Sequence, residues 1–345
     1  MKIKQFLLKR ILPLLLLCFL TGCAPAAQEA ADYAPGESQR LVLYTSHKKE
    51  VWWPIVQECE SRTGVWVEVV EGGTNELLEK LAAERGAPQA DVMFGGGVES
   101  LESYRALFSP YICRGAEQIL PQYRAADDIW TPFSSLPLVL IYNPKLISAA
   151  DVTGWESLLR PEVRGRIAFA DPSVSGSSYT ALATMLFALD GERDEILHAF
   201  AENLDGRVLS GSGEVIATVV NGEAFIGVTL EETALRRQAA GDAIAMVYPA
   251  DGTSCVPDGC AILDGAPHRA NAELFVDFAV SRDVQTMLQT QFCRRTVRSD
   301  VEPASELPAL TLLRQVDYDV RAASESRDAI LMSWAFYLGK EEDTP

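Results

Sequence analysis

The sequence predicts an α/β protein made of two successive α/β units, and three observations carry that prediction. Short apolar strands alternate with amphipathic helices from Leu41 to Leu107, the same alternation returns from Arg166 to Tyr248, and an extended apolar run, Pro132 to Asn143, lies between them. Strand, loop and helix in repeated order imply a parallel or mixed sheet with helices on its faces. Length agrees: after an amino-terminal leader about 300 residues remain, enough for two cores rather than one.

In the first unit, Leu41–Thr45 reads as a buried strand ending at Ser46-His47, and Val51–Arg62 has helical apolar spacing that stops at Thr63-Gly64. Val65–Val70 is a second strand, Asn75 caps a helix to Arg85, Ala90–Phe94 is a third strand, and Gly95-Gly96-Gly97 leads into a short helix to Leu107. In the second unit, Arg166–Ala170 is a strand that opens onto a serine-rich loop, and Ser177–Leu189 is the helix after it. Further elements are a helix near Glu192–Glu202, strand Arg207–Leu209, helix Glu214–Val220, strand Ala224–Val228, helix Glu231–Ala240 and strand Ala243–Tyr248. Two helical patterns, Arg269–Val280 and Asp283–Phe292, follow a loop from Pro249 to Ala261, and Ala322–Leu338 reads as a last amphipathic helix.

The amino terminus is a leader. Lys2, Lys4, Lys9 and Arg10 precede the apolar run Ile11–Leu20, and Leu20-Thr21-Gly22-Cys23 has the form of a lipobox, so residues 1–22 are a lipoprotein signal peptide and Cys23 the lipidated residue. Residues 23–40 lack periodicity and form a flexible tether. The expected place is extracytoplasmic, lipid-anchored to the bacterial cell membrane through Cys23.

The chain has 30 Lys+Arg and 48 Asp+Glu; removing the four basic residues of the leader leaves 26 against 48, a net charge of 26 − 48 = −22. That balance argues against nucleic acid and against electrostatic adhesion to an anionic membrane surface. Six cysteines remain after cleavage, and Cys255 with Cys260, flanking Val-Pro-Asp-Gly, form the expected disulfide. Three scattered histidines, His47, His198 and His268, give no zinc spacing, so no metal and no cofactor is expected.

Ligands of open α/β sheets sit beyond the carboxyl ends of strands. Standing there are Ser46 and His47, Gly97, Ser135 in the crossing segment, the loop Ser175-Gly176-Ser177-Ser178 at a helix start, and Thr229 with Glu231. Hydroxyls, glycines and helix N-termini aimed at one cleft suit a compact anion. His47 or Lys48 adds a positive group, and Glu231 accepts from ligand hydroxyls or an ammonium. No Gly-x-Ser-x-Gly elbow occurs at a strand-to-helix turn, so the reading is non-catalytic.

The lipobox, Leu43-Tyr-Thr-Ser46, Arg62-Thr-Gly64, Ala90-Asp-Val-Met-Phe-Gly-Gly-Gly97, Leu140-Ile-Tyr-Asn143, Ala170-Asp-Pro-Ser-Val-Ser-Gly-Ser177 and Tyr248-Pro-Ala-Asp-Gly-Thr253 occur in an order that resembles extracellular solute-binding proteins of ABC importers. More narrowly the chain resembles their ferric-iron, hexose-phosphate and 2-aminoethylphosphonate group. The resemblance implies the two-lobed type 2 periplasmic-binding-protein fold, each lobe a mixed sheet flanked by helices, with two crossover hinge strands. Lobe 1 is then 41–131 with 250–345, lobe 2 is 143–247, and the hinges lie near 133–142 and 243–248. It also implies a monomer that captures a small anionic solute, a phosphorylated sugar or an organophosphonate, and delivers it to an ABC permease and its ATPase. Ferric members carry tandem tyrosines where this chain has Thr229-Leu-Glu-Glu-Thr233, a departure that counts against direct iron binding and leaves ferric iron as the alternative cargo. A solute sensor coupled to a membrane histidine kinase and a secreted enzyme using Ser177 or Ser178 are also compatible with these residues.

Overall fold

The computed structural model describes residues 35–304 and 307–339. The signal peptide, Cys23 and most of the tether lie outside the described residues. Contacts divide the chain at Arg40; before that point the described residues form one 3₁₀ turn, Glu37–Gln39. From Leu41 on there are two sheets.

The first sheet has the order β10-β4-β9-β3-β1-β2, from β1 (Arg40–Thr45), β2 (Trp66–Glu71), β3 (Val92–Gly97), β4 (Thr131–Ser135), β9 (Pro257–Ile262) and β10 (Arg295–Thr296). β1 and β3 are parallel, while β9 runs antiparallel to both β3 and β4. Side chains of a strand alternate between faces, and here both faces are covered. Leu41, Leu43, Phe94 and Ile262 face α1 (Lys49–Thr63), α8 (Arg269–Ala279) and α9 (Arg282–Phe292), whereas Tyr44, Met93 and Ala261 face α2 (Thr74–Ala83) and α3 (Val98–Ser103). That double burial is why the strands read as continuous apolar runs. α1 stops where the sequence predicts, at Gly64, whose φ of 71° is a left-handed cap that glycine adopts without strain.

The second sheet has the order β6-β7-β5-β8, from β5 (Leu138–Tyr142), β6 (Ile167–Ala168), β7 (Ile226–Leu230) and β8 (Ala245–Val247). Leu138, Leu140 and Tyr142 face a core shared with α4 (Gly176–Ala188) and α5 (Arg193–Leu204); Val139 and Ile141 face α6 (Val215–Val220). α7 (Glu231–Ala239) begins directly at the end of β7.

The chain crosses between the sheets at Leu136-Pro137 and returns through Tyr248–Val256. The two crossings are bonded side by side: Leu136 N donates to Val256 O at 3.3 Å, and the Thr253 hydroxyl donates to Leu138 O at 2.7 Å. The return therefore lies beyond the expected 243–248, most of which is β8, a strand of the second sheet.

Two further expectations are corrected. The carboxyl-terminal tail does not stay with the first lobe. It forms α10 (Val320–Glu325), packed on α3, and α11 (Arg327–Tyr337), whose Ile330 and Trp334 enter the core of the second sheet. Trp334 is 1% exposed, with its ring 5.9 Å from Phe169 and 5.8 Å from Phe200. Amphipathic spacing reveals a buried face but not the surface that receives it.

The second correction concerns the cysteines, because Cys255 and Cys260 are both free thiols. Pro257-Asp-Gly is the start of β9 rather than a turn, and an extended strand rising about 3.3 Å per residue carries the two cysteines past disulfide range. Cys260 is buried in the first core, and burial pushes the Cys255 thiol up to about 12. Thermal unfolding with and without dithiothreitol is therefore expected to give the same midpoint; a fall of several degrees under reduction would reinstate a bridge.

Candidate functional site

The segment from Ala170 to Ser178 makes a tight entry into α4. Asp171 O accepts from the amides of Val174 and Ser175, and the Asp171 carboxylate accepts from Ser173 N at 2.9 Å. Ser175 is the N-cap, its hydroxyl accepting from Ser178 N at 3.3 Å and lying 3.2 Å from the Ser177 hydroxyl. Capping thus uses Ser175, while the first-turn amides of Gly176 and Ser177 are left over, as at any helix start. Gly176 is needed because α2 comes close: a Cβ there would stand 2.8 Å from the Thr74 hydroxyl. Next to that contact, Asn75 Nδ2 donates to Ser173 O at 2.7 Å, so the lobes touch directly at this edge of the cleft.

The first lobe contributes the carboxyl ends of β1 and β3. His47 is buried against Phe94, ring centroids 4.4 Å apart, and burial, with Arg294 adding to it, holds its pKa well below the ordinary imidazole value. The ring is thus neutral. Its Nε2 has no hydrogen-bond partner and lies 3.6 Å from Asp258 Oδ2.

Beside it Arg294 is anchored on β9 and β4. Nη1 donates to Asp258 Oδ2 at 2.7 Å and to the Ser134 hydroxyl at 3.1 Å, Nη2 lies 3.5 Å from Glu232 Oε1, and Nε has no partner. Asp258 also accepts from the Ser134 amide and hydroxyl, at 2.7 and 2.8 Å. Burial raises the Asp258 pKa, and Arg294 and Ser134 oppose that rise.

These groups line one cavity of about 470 Å³. It brings together Ser46, His47, Gly97, Ser175, Gly176, Ser177, Ser178 and Thr229, all expected from the sequence. Ser135 and Glu231 do not line it. The Ser135 hydroxyl accepts from Tyr123 at 3.0 Å and donates to Cys255 O at 3.2 Å, because β4 alternation turns it away from the cleft. Glu231 is held by Arg295 Nε and Nη2, at 2.7 and 2.8 Å, and by the Tyr248 hydroxyl at 2.5 Å.

One position on, Glu232 lines the cavity, its Oε2 buried, without a hydrogen bond and 3.7 Å from Arg236 Nη1 on the same helix. Two adjacent acids on α7 thus meet two adjacent arginines: Glu231 with Arg295 ties the lobes, and Glu232 with Arg294 lines the cavity. Sequence reading missed Arg294, Asp258, Glu232, Thr74 and the rim Ser210–Gly213. Tandem arginines after an amphipathic helix in so acidic a chain are a signal that was there to use.

Residues 41–294 match the family described as bacterial extracellular solute-binding protein, and the chain belongs to that family. It is therefore an extracytoplasmic binding protein for a small solute. Among its relatives, the putative 2-aminoethylphosphonate-binding periplasmic protein of Salmonella typhi is 26% identical over 74% of this chain and 77% of its own, and iron uptake protein A1 of Synechocystis sp. is 26% identical over 78% and 79%. The solved structure of the periplasmic binding protein AfuA from Actinobacillus pleuropneumoniae, with exogenous fructose-6-phosphate bound, superposes with a TM-score of 0.79 at 25% identity, covering 88% of this chain and 99% of that one.

Proposed function

We propose that the protein is a lipid-anchored, non-catalytic receptor that closes on a phosphate- or phosphonate-bearing organic solute and passes it to an ABC permease. The anion sits on the first-turn amides of α4 with the Ser177 hydroxyl, within reach of Arg294 and His47. Glu232 takes a hydroxyl or ammonium at the other end. One observation carries this reading: Arg294, His47 and Glu232 line the same 470 Å³ cavity, while Arg294 Nε, His47 Nε2 and Glu232 Oε2 are buried without hydrogen-bond partners, the last of them 3.7 Å from Arg236 Nη1.

Buried polar atoms left unpaired cost on the order of 1–3 kcal/mol each, which a solute carrying both an anion and a hydrogen-bond donor recovers on binding. The chain's net negative charge does not oppose this, since screening limits distant charge to about 10 Å while the local donors act at contact. The fructose-6-phosphate seen in the AfuA structure and the phosphonate named for the Salmonella relative support the same solute class. Ferric iron, suggested by the Synechocystis relative, is less well supported: the cavity lining has no tyrosine, and no cluster of metal-ligating side chains occurs among the described residues.

A thermal-shift series with fructose 6-phosphate, 2-aminoethylphosphonate, inorganic phosphate and Fe³⁺ tests the reading. A phosphate- or phosphonate-bearing compound is expected to raise the unfolding midpoint, by about 2.7 kcal/mol of added stability at a hundredfold excess over Kd. Gly176→Ala, which pushes a methyl group against Thr74, is expected to weaken that shift about tenfold in apparent Kd. A shift with Fe³⁺ alone, or one that Gly176→Ala leaves untouched, contradicts the assignment.

A further inference from the structure

Below the cavity floor lies a second polar cluster that solute contacts do not explain. Glu99, in the first turn of α3, is 0% exposed. Its carboxylate folds back under Gly97, where a Cβ would stand 2.5 Å from it, which makes glycine necessary there. Oε1 accepts from the hydroxyl of Thr180 on α4, in the opposite lobe, and Oε2 has no partner. Thr180 itself lines the cavity, one helical turn below Gly176.

The bridging tail closes the same region. The Tyr179 hydroxyl donates to Ala323 O at the end of α10, and the Arg327 guanidinium lies 5.5 Å over the Tyr179 ring. Ser103 on α3 reaches Ser324. The break at Ser326 lies between a helix packed on the first lobe and a helix packed in the second, and the charge of Arg327, the next residue, acts on Glu99.

We propose that Glu99 is the closure latch of this protein, a positioning residue whose carboxyl is buried when Thr180 is brought onto it, so that closing the cleft takes up one proton. A charge left in that place is opposed by burial. Among the described residues no ion pair reaches Glu99; Arg327 is near but pairs with Asp328 at 3.6 Å. The other groups facing it do not compensate. Tyr179 and Tyr318, on both of which the Glu99 charge acts, stay protonated because burial raises both, and Arg327 is the one charged side chain that acts on Glu99 among the described residues. Burial lifts the Glu99 carboxyl to about 7, with Thr180 and Arg327 opposing.

The sign follows by linkage. A carboxyl whose pKa is higher closed than open favours the closed form below the open value, and this preference is lost as pH rises through the closed value. With an ordinary open-form value near 4.5 and a closed value near 7, the closed-to-open ratio falls about 30-fold between pH 5.5 and 8.5. Because Thr180 links the latch to the cavity, solute affinity follows the same curve.

The proposal rests on the inter-lobe cavity being the solute site, but its test needs no solute. Small-angle scattering of the unliganded mature protein at pH 5.5 and 8.5 reads lobe separation directly. The wild-type radius of gyration is expected to be larger at pH 8.5, while Glu99→Gln, which mimics the protonated form, stays compact at both. Thr180→Val, keeping the size but not the hydroxyl, is expected to retain a pH response with its midpoint shifted up, and circular dichroism melts establish that both variants fold. A wild-type radius that does not change with pH, or a Glu99→Gln variant that opens as the wild type does, overturns the latch. Failure of every phosphate-bearing compound to bind, with the scattering response intact, instead removes the solute assignment and leaves the latch.

Discussion

Replacing Arg294 by methionine is expected to abolish capture of phosphate-bearing solutes, weakening Kd by at least about a hundredfold, and to destabilise the fold as well. Arg294 holds Asp258 at 2.7 Å, stands 3.5 Å from Glu232, lines the cavity and leaves Nε without a hydrogen-bond partner. Truncating one member of a buried hydrogen-bonded charge pair costs about 2–5 kcal/mol, much of it from the charge left behind. Here two carboxylates are left behind, so unfolding in urea should register a loss of about 3–5 kcal/mol. A double variant, Arg294→Met with Asp258→Asn, separates the two effects: stability should partly return, because no charge is stranded on β9 and Glu232 keeps Arg236 at 3.7 Å, while binding stays lost. Binding that returns with stability would mean that Arg294 only supports the fold.

Trp334→Ala is expected to cost about 3–5 kcal/mol of stability, the usual range for removing a large buried aromatic. The ring is 1% exposed and packs against Phe169 and Phe200, beneath the loop that leads into α4. The change tests whether the tail belongs to the second lobe. If α11 were an accessory of the first lobe, the loss would be small and a chain ending before α10 would unfold at the same midpoint. Since Phe169 precedes the serine loop directly, solute affinity should fall with stability in this variant, unlike in Gly176→Ala.

What could be read from the sequence followed from local periodicity. The strands at Leu41, Ala90 and Leu138 and the helix at Gly176 show themselves because burial on two faces requires unbroken apolar runs and a helix start requires a cap. The serine loop was legible for the same reason, and it does line the cleft. Long-range pairing leaves no such trace. Nothing in Glu231-Glu232 shows which acid faces inward until Arg295 and Arg294 are placed opposite them. Nothing in the amphipathic tail names Phe169 and Phe200 as its receptors, and a Pro-Asp-Gly stretch that suggests a turn becomes strand when β3 and β4 flank it. In the sequence Glu99 is one acid among 48 Asp+Glu, set near a helix N-terminus. Its isolation becomes apparent only when α4 closes over it.

In the proposed function a phosphate-bearing solute is held by Arg294 and the start of α4 in one inter-lobe cavity. Isothermal titration of the mature protein and of Arg294→Met with fructose 6-phosphate, 2-aminoethylphosphonate and inorganic phosphate tests it most directly. Saturable one-to-one binding of at least one of them to the wild type is expected, weakened about a hundredfold or more in the variant. Binding of none of them, or equal binding by both proteins, would contradict it.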